Sequence, residues 1–78
     1  MPFVYLLRCA DASLYCGWST DPQRRLEQHR AGTASRYTRT RLPVELVWTA
    51  ECADRSEAMR EEARIKRLSA AQKRALAG

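Results

Sequence analysis

Two short runs of apolar and aromatic residues at the start of this 78-residue chain constrain its fold most strongly. The first run, residues 3–7, is too short for a helix and is typical of a strand that is covered on both faces. The second run, residues 14–18, follows a short turn, so the two runs predict an antiparallel hairpin. A chain of this length supports a single core.

The length of the turn between these strands decides which side chains share a face of the sheet. A turn with an odd number of residues, such as residues 10–12, sets Tyr5 opposite Gly17. It also sets Leu7 opposite Tyr15, so both tyrosines lie on one face. A two- or four-residue turn without a bulge would separate them.

Helix-start and helix-end signals organise the middle of the chain. Residues 20–22, Thr-Asp-Pro, predict the beginning of a first helix over 22–31, because a side-chain oxygen can cap it and proline suits its first turn. Gly32 suits the C-terminal cap. We interpret residues 33–42 as a loop or a short helical turn, and residues 44–50 as a third strand.

Two later segments, residues 54–57 and 69–72, have the spacing of a helix capping box. They predict a second helix after residue 54 and a third over 70–77. The element order is then β-β-α-β-α-α. We expect an α+β fold, a small three-stranded antiparallel sheet flanked by helices that cover its apolar faces, in one domain over residues 1–78.

The excess positive charge lies in one segment. The chain has 14 basic and 9 acidic residues, a formal net charge of +5. Within residues 24–41 the only acidic residue is Glu27, and every basic residue is an arginine: Arg24, Arg25, Arg30, Arg36, Arg39 and Arg41. Because the planar guanidinium suits phosphate, nucleic acid is the leading partner, and a solvated basic face is the alternative.

The cysteines favour a reducing compartment. They are three in number and contain no C-x-x-C pair, so neither a disulfide framework nor a zinc knuckle is indicated. The apolar run at residues 3–7 is shorter than the core of a signal peptide and has no basic region ahead of it. We expect a cytoplasmic protein with buried, reduced thiols and no membrane partner.

Glu62 is an anomaly on the second predicted helix. At 100° per residue it points into the middle of an apolar arc, whereas Glu61 projects near the edge. The arc consists of Ala58, Met59, Ala63 and Ile65. A carboxylate on the core side costs free energy unless it is paired or binds a metal, so Glu62 is either a salt-bridge partner or a functional ligand.

Arg25 and His29 are spaced four residues apart, on one face of the first predicted helix. The alternative to a functional pair is an exposed arginine beside a solvated or hydrogen-bonded histidine. His29 is the only histidine, which excludes a His-based zinc site and two-histidine chemistry. With Tyr5, Tyr15 and Glu62, the set supplies what a phosphodiester site needs: a proton acceptor, cations for the phosphate and a hard oxygen ligand for Mg²⁺.

Several motifs and their order along the chain resemble those of the GIY-YIG nucleases, particularly of their small stand-alone bacterial members. The resemblance covers about residues 3–68. It rests on Phe3-Val4-Tyr5, Tyr15-Cys16-Gly17, Trp18-Ser19-Thr20-Asp21-Pro22, Arg25-Leu26-Glu27-Gln28-His29, and Glu62 with Ile65-Lys66-Arg67-Leu68. Phe3, Val4 and Cys16 depart from the signatures at apolar strand positions, and Ala12 stands where such members usually have glycine.

The resemblance implies a nuclease site lined by Tyr5, Tyr15, Arg25, His29 and Glu62. Tyr5, in preference to Tyr15, takes a proton from the attacking water, and Arg25 stabilises charge on the phosphate. Glu62 holds a single Mg²⁺ or Mn²⁺. Tyr15 and His29 orient the phosphate or the water. A phenol is a poor base at neutral pH, so Arg25 and the metal must stabilise its anion.

The sequence therefore predicts a Mg²⁺-dependent endonuclease acting on nucleic acid, DNA in preference to RNA, in DNA processing or repair. Predicted nucleic-acid contacts are Gly17, Trp18, Arg24, Arg30, Arg36, Arg39 and Arg41. Two alternatives stay open. One is a catalytically silent nucleic-acid-binding module, and the other is an accessory nuclease subunit that needs a larger protein partner.

Overall fold

Local sequence signals set the ends of three strands and four helices in a computed structural model that describes all 78 residues. Asp21, Asp54 and Ser69 cap three of the helices, as their sequence positions predict. The elements are β1 (Phe3–Arg8), β2 (Leu14–Ser19), α1 (Pro22–Arg30), α2 (Arg36–Arg39), β3 (Glu45–Glu51), α3 (Arg55–Lys66) and α4 (Ala70–Leu76). The predicted α+β order is confirmed, with α2 as the short helical turn within residues 33–42.

The predicted hairpin between β1 and β2 has the odd, three-residue turn, one of the two alternatives that the sequence left open. The Cys9 N–H donates to the Ser13 carbonyl oxygen at 2.9 Å, which closes the turn around residues 10–12. Ala12 has a φ of 68°, the left-handed conformation that such a loop demands of its last residue. Tyr5 pairs with Gly17 and residue 7 with residue 15, so the two tyrosines share a face.

The sheet has the order β2-β1-β3, and both pairings are antiparallel. The central strand β1 contributes to a core on each face, which explains its unbroken apolar sequence. The cluster on the α3 side is Val4, Leu6, Cys16, Cys52, Ala58 and Ile65. The cluster on the α1 side is Tyr5, Leu7, Cys9, Leu26 and Val44. All three cysteines are buried and unpaired.

The predicted apolar arc of α3 is wrong at two positions. Met59 is 53% exposed and Ala63 is also exposed, whereas Ala58 and Ile65 are fully buried. The helix packs through the narrower face that Ala58 and Ile65 share. Glu62 lies beside this face rather than at the centre of a broad arc. None of the helices has both the length and the apolar character needed to cross a membrane.

Candidate active site

A pocket of about 390 Å³ lies beside β2, the edge strand that carries helices on both faces. Four segments contribute side chains to it: β1, β2 with the turn that follows it, α1 and α3. Its lining consists of Tyr5, Tyr15, Gly17, Trp18, Ser19, Thr20, Arg25, Arg55 and Glu62. Four of the five predicted catalytic residues therefore meet in one pocket, and His29 stands outside its lining.

Tyr5 reaches the pocket because Gly17 has no side chain. A Cβ at Gly17 would lie 2.5 Å from the Tyr5 hydroxyl oxygen and 2.7 Å from its Cζ, which no real contact allows. The register that sets Tyr5 opposite Gly17 thus brings the phenol across the neighbouring strand. Gly17, predicted as a nucleic-acid contact, lines the pocket and also supplies the space for the Tyr5 ring.

His29 lies behind Tyr5, and its side chain is almost fully buried. Its Nε2 is 3.0 Å from the Tyr5 hydroxyl, and its Nδ1 is 2.7 Å from Thr38 Oγ1. Both ring nitrogens therefore have protein partners. The expectation that His29 orients phosphate or water directly does not match this arrangement, because neither nitrogen is left to contact a ligand.

Tyr15 packs edge-on against His29, with 5.2 Å between ring centroids. Its other neighbour is Tyr37, whose ring stacks on it at 5.8 Å. The Arg41 guanidinium lies 3.8 Å from the Tyr37 centroid and pairs with Asp11 at 3.0 Å. These contacts tie α2 to the hairpin and hold the Tyr15 ring against the pocket wall.

Burial sets the protonation states of Tyr5 and His29. It raises the pKa of Tyr5 to about 12, and the nearby Arg25 guanidinium opposes this rise without cancelling it. Burial, and then the charge of Arg25, lowers the pKa of His29. At neutral pH the pair is therefore a protonated phenol and a neutral imidazole, joined by a hydrogen bond.

The two adjacent glutamates on α3 have different surroundings. Glu62 lines the pocket, its side chain is 24% exposed, and its Oε1 lies 3.6 Å from Lys66 Nζ. Glu61 makes a bidentate ion pair with Arg64, with both hydrogen bonds at 2.9 Å, and is not among the residues that line the pocket. This pairing lowers the pKa of Glu61. Glu62 is the one carboxylate among the residues that line the pocket. The structure contains no group of three or more potential metal ligands among His, Cys, Asp and Glu.

Two arginines line the pocket. Arg25 is exposed and donates a hydrogen bond to Gln28 at 3.0 Å. Arg55, the first residue of α3, was not predicted, and its guanidinium carbon lies 5.8 Å from the centre of the Trp18 ring. A spacing of seven residues puts Arg55 and Glu62 on one face of the helix, and this spacing is the sequence signal that could have identified it.

The other predicted nucleic-acid contacts differ in their freedom to bind. Trp18 is partly buried against the core and lines the pocket. Arg41 is held by Asp11 and Tyr37, and Arg30 pairs with Glu27 at 3.4 Å. Among these predicted contacts, the exposed arginines that form no ion pair are Arg24, Arg36 and Arg39.

Known proteins are similar to this chain in sequence and in fold. The family model of the GIY-YIG catalytic domain matches residues 1–75. A UPF0213 protein of Halobacterium salinarum is 51% identical over 76 residues, which cover 97% of this chain and 99% of the relative. A UPF0213 protein of Vibrio cholerae is also 51% identical, over 75 residues that cover 95% of this chain and 74% of the relative.

A solved structure is similar as well. The solution NMR structure of a UPF0213 protein from Bacillus halodurans superimposes with a TM-score of 0.60 at 43% sequence identity. The match covers 97% of this chain and 82% of the other. The names of these similar proteins state no activity. The similar structure supports the fold, and the residues that line the pocket indicate the chemistry.

Proposed function

This chain belongs to the GIY-YIG catalytic domain family, and on that premise we propose that it is a Mg²⁺-dependent nuclease that hydrolyses phosphodiester bonds, those of DNA in preference to RNA. The observation that carries the proposal is the meeting of Tyr5, Arg25 and Glu62 in one pocket. A phenol, a guanidinium and a carboxylate supply a proton acceptor, a phosphate ligand and a metal ligand.

Tyr5 is the proposed proton acceptor for the attacking water. Its ring lines the pocket, its hydroxyl lies 3.0 Å from His29 Nε2, and the Arg25 side chain is close enough to act on its pKa. Because the pKa of Tyr5 is raised to about 12, the phenol is protonated before substrate binds. It can accept a proton from water only as its own proton passes to its partner, so the Tyr5–His29 hydrogen bond is part of the proposed chemistry.

Arg25 is the proposed ligand of the scissile phosphate. It projects from α1 into the pocket, and its hydrogen bond to Gln28 uses only one of its five N–H donors. A guanidinium can bind two phosphate oxygens at once and stabilise the charge that develops on them. Arg55 offers a second cation across the pocket, where it can contact a neighbouring phosphate of the same strand.

The residues present fit a magnesium ion bound through one carboxylate. Mg²⁺ usually keeps several waters and binds one or two carboxylates together with substrate phosphates. Glu62 would hold it, and no second protein ligand is required. When bound, the ion supplies positive charge that favours attack on the phosphate and departure of the leaving oxygen. We expect metal affinity to be low without nucleic acid.

The test is Mg²⁺-dependent cleavage of a labelled panel: duplex, flap, junction and single-stranded DNA, and RNA. The panel compares the wild type with Glu62→Gln and with the matched control Glu61→Gln. We expect cleavage by the wild type and the control, none by Glu62→Gln, and none in EDTA. Full activity of Glu62→Gln would refute its role.

Two negative results identify the alternatives. Salt-sensitive binding by the wild type without cleavage would indicate a silent binding module. Cleavage that appears only after a copurifying protein is added would indicate an accessory subunit.

A further inference from the structure

Thr38, on the short helix α2, lies behind the pocket. Its side chain is fully buried, and its Oγ1 lies 2.7 Å from His29 Nδ1. On the opposite side of the same ring, Nε2 lies 3.0 Å from the Tyr5 hydroxyl. The three side chains form a continuous hydrogen-bonded row that begins in α2 and ends at the pocket wall.

The backbone of α2 holds Thr38 in place. Ser35 caps this helix, and its side-chain oxygen accepts from the Tyr37 N–H at 3.1 Å. Its carbonyl oxygen accepts from the Arg39 N–H at 3.0 Å and lies 3.3 Å from Thr38 Oγ1. Thr38 is therefore fixed between a carbonyl oxygen and a histidine ring.

One arrangement of protons gives every donor in this row an acceptor. In this arrangement the Thr38 hydroxyl donates to the Ser35 carbonyl oxygen, which can only accept. Thr38 then accepts from Nδ1–H of the neutral His29 ring. The lone pair on Nε2 is left to accept from the Tyr5 hydroxyl. In the opposite tautomer, Nε2–H would donate to Tyr5, and the Tyr5 proton would have no protein acceptor.

The tautomer decides what Tyr5 presents to the pocket. If its proton is directed backward to Nε2, the phenolic oxygen turns its lone pairs toward the pocket, where they can accept from water. If Nε2 carries the proton instead, Tyr5 becomes an acceptor toward His29 and points its own proton into the pocket. Only the first arrangement suits a general base.

Resting on the proposed nuclease function, we propose that Thr38 is a positioning residue that holds His29 in the Nδ1–H tautomer, so that Tyr5 donates to His29 and accepts from the attacking water. As the water O–H bond breaks, its proton moves to the Tyr5 oxygen, and the Tyr5 proton moves to His29 Nε2. The water oxygen forms the new P–O bond, and the leaving oxygen departs with its electron pair. His29, then an imidazolium, returns the proton through Tyr5 to solvent.

The test uses ¹⁵N NMR of the full chain, because His29 is the only histidine and its two ring nitrogens are the only signals of their kind. At a pH where the ring is neutral, we expect Nδ1 to carry the proton in the wild type. The variant Thr38→Val removes the hydroxyl with little change in shape, whereas Thr38→Ser retains the hydroxyl and removes only the methyl group.

We expect Thr38→Val to lose the pure Nδ1–H signature and to cleave at least about tenfold more slowly, because the wrong tautomer offers Tyr5 a proton instead of a lone pair. We expect Thr38→Ser to recover both. An Nε2–H tautomer in the wild type would overturn the inference even if Thr38→Val does not fold. A folded Thr38→Val with the wild-type signature and cleavage rate would also overturn it. If the wild type and the variants show the expected tautomers but the wild type does not cleave nucleic acid, the nuclease function is refuted and the role of Thr38 in setting the tautomer stands.

Discussion

Gly17→Ala tests whether the pocket depends on the close approach of Tyr5 to the β2 backbone. The added methyl would meet the Tyr5 hydroxyl oxygen at 2.5 Å and its Cζ at 2.7 Å. Tyr5 cannot yield easily, because its side chain is 2% exposed and is hydrogen-bonded to His29. Overpacking of this kind costs about 1–3 kcal/mol. Loss of the Tyr5–His29 hydrogen bond costs about 1 kcal/mol more.

A partial compensation acts in the other direction. Alanine loses less backbone entropy than glycine on folding, which raises the free energy of unfolding by about 0.5–1 kcal/mol. The net expectation is a loss of about 2 kcal/mol in the free energy of unfolding, or a fall in Tm of about 8–16 °C for a domain of this size. Urea titration and thermal unfolding measure it. Gly78→Ala is the control for an added methyl group without a steric contact, because its Cβ would meet nothing within 4 Å and its φ of 92° lies at the last residue, outside any helix or strand.

A double-mutant cycle separates steric contact from other causes. In the Gly17→Ala background, Tyr5→Phe removes the atom that the methyl meets first, so the double variant should be less destabilised than the sum of the two single variants. Additive costs would show that the methyl does not meet Tyr5. A Gly17→Ala protein with wild-type Tm and an unchanged His29 ring spectrum would show that the pocket does not depend on this close approach.

Three further predictions concern the turn, the buried histidine and the pocket rim. Ala12→Gly should stabilise the fold by about 0.5–1 kcal/mol in urea titration, since it relieves a φ of 68°, whereas Ala10→Gly should not. Because the pKa of His29 is lowered in the folded state, the unfolded state binds more protons as pH falls below about 6.5. The urea concentration at the unfolding midpoint should therefore decrease when the pH is lowered from 7.5 to 5, and His29→Asn should abolish most of that decrease. A wild type that is more stable at pH 5 would contradict this. Arg55→Gln should weaken DNA binding and reduce by about one the slope of the logarithm of the binding constant against the logarithm of the salt concentration. Arg60→Gln, outside the pocket, should leave this slope unchanged.

The hairpin could be predicted from the sequence because it depends on local rules, and the turn length then decided between its two possible registers. The side-chain period of a strand is two, so an odd turn at residues 10–12 sets Tyr5 and Tyr15 on one face. The helix starts were equally local, since Asp21, Asp54 and Ser69 each cap through a hydrogen bond within three residues. These interactions require no knowledge of tertiary packing.

The surroundings of the site residues could not be predicted in the same way. Thr38 lies in a segment without hydrophobic periodicity, and its contact with His29 exists only when α2 packs on α1. The helical wheel treated every apolar residue of α3 as buried, although Met59 faces solvent because the sheet covers only a narrow face. The seven-residue spacing puts Arg55 and Glu62 on one helix face, but the position of Arg55 beside Trp18 depends on how α3 packs on the sheet.

Tyr5 takes part in the cleavage of a phosphodiester bond if the proposed function is right, and the Mg²⁺-dependent cleavage rate of Tyr5→Phe measures its part. The measurement uses the preferred substrate under single-turnover conditions, with the wild type and Tyr37→Phe alongside, because Tyr37 lies outside this pocket. We expect Tyr5→Phe to fold, to bind the substrate and to cleave at least about a hundredfold more slowly. Tyr37→Phe should cleave at close to the wild-type rate. A folded Tyr5→Phe protein that cleaves as fast as the wild type would contradict the account.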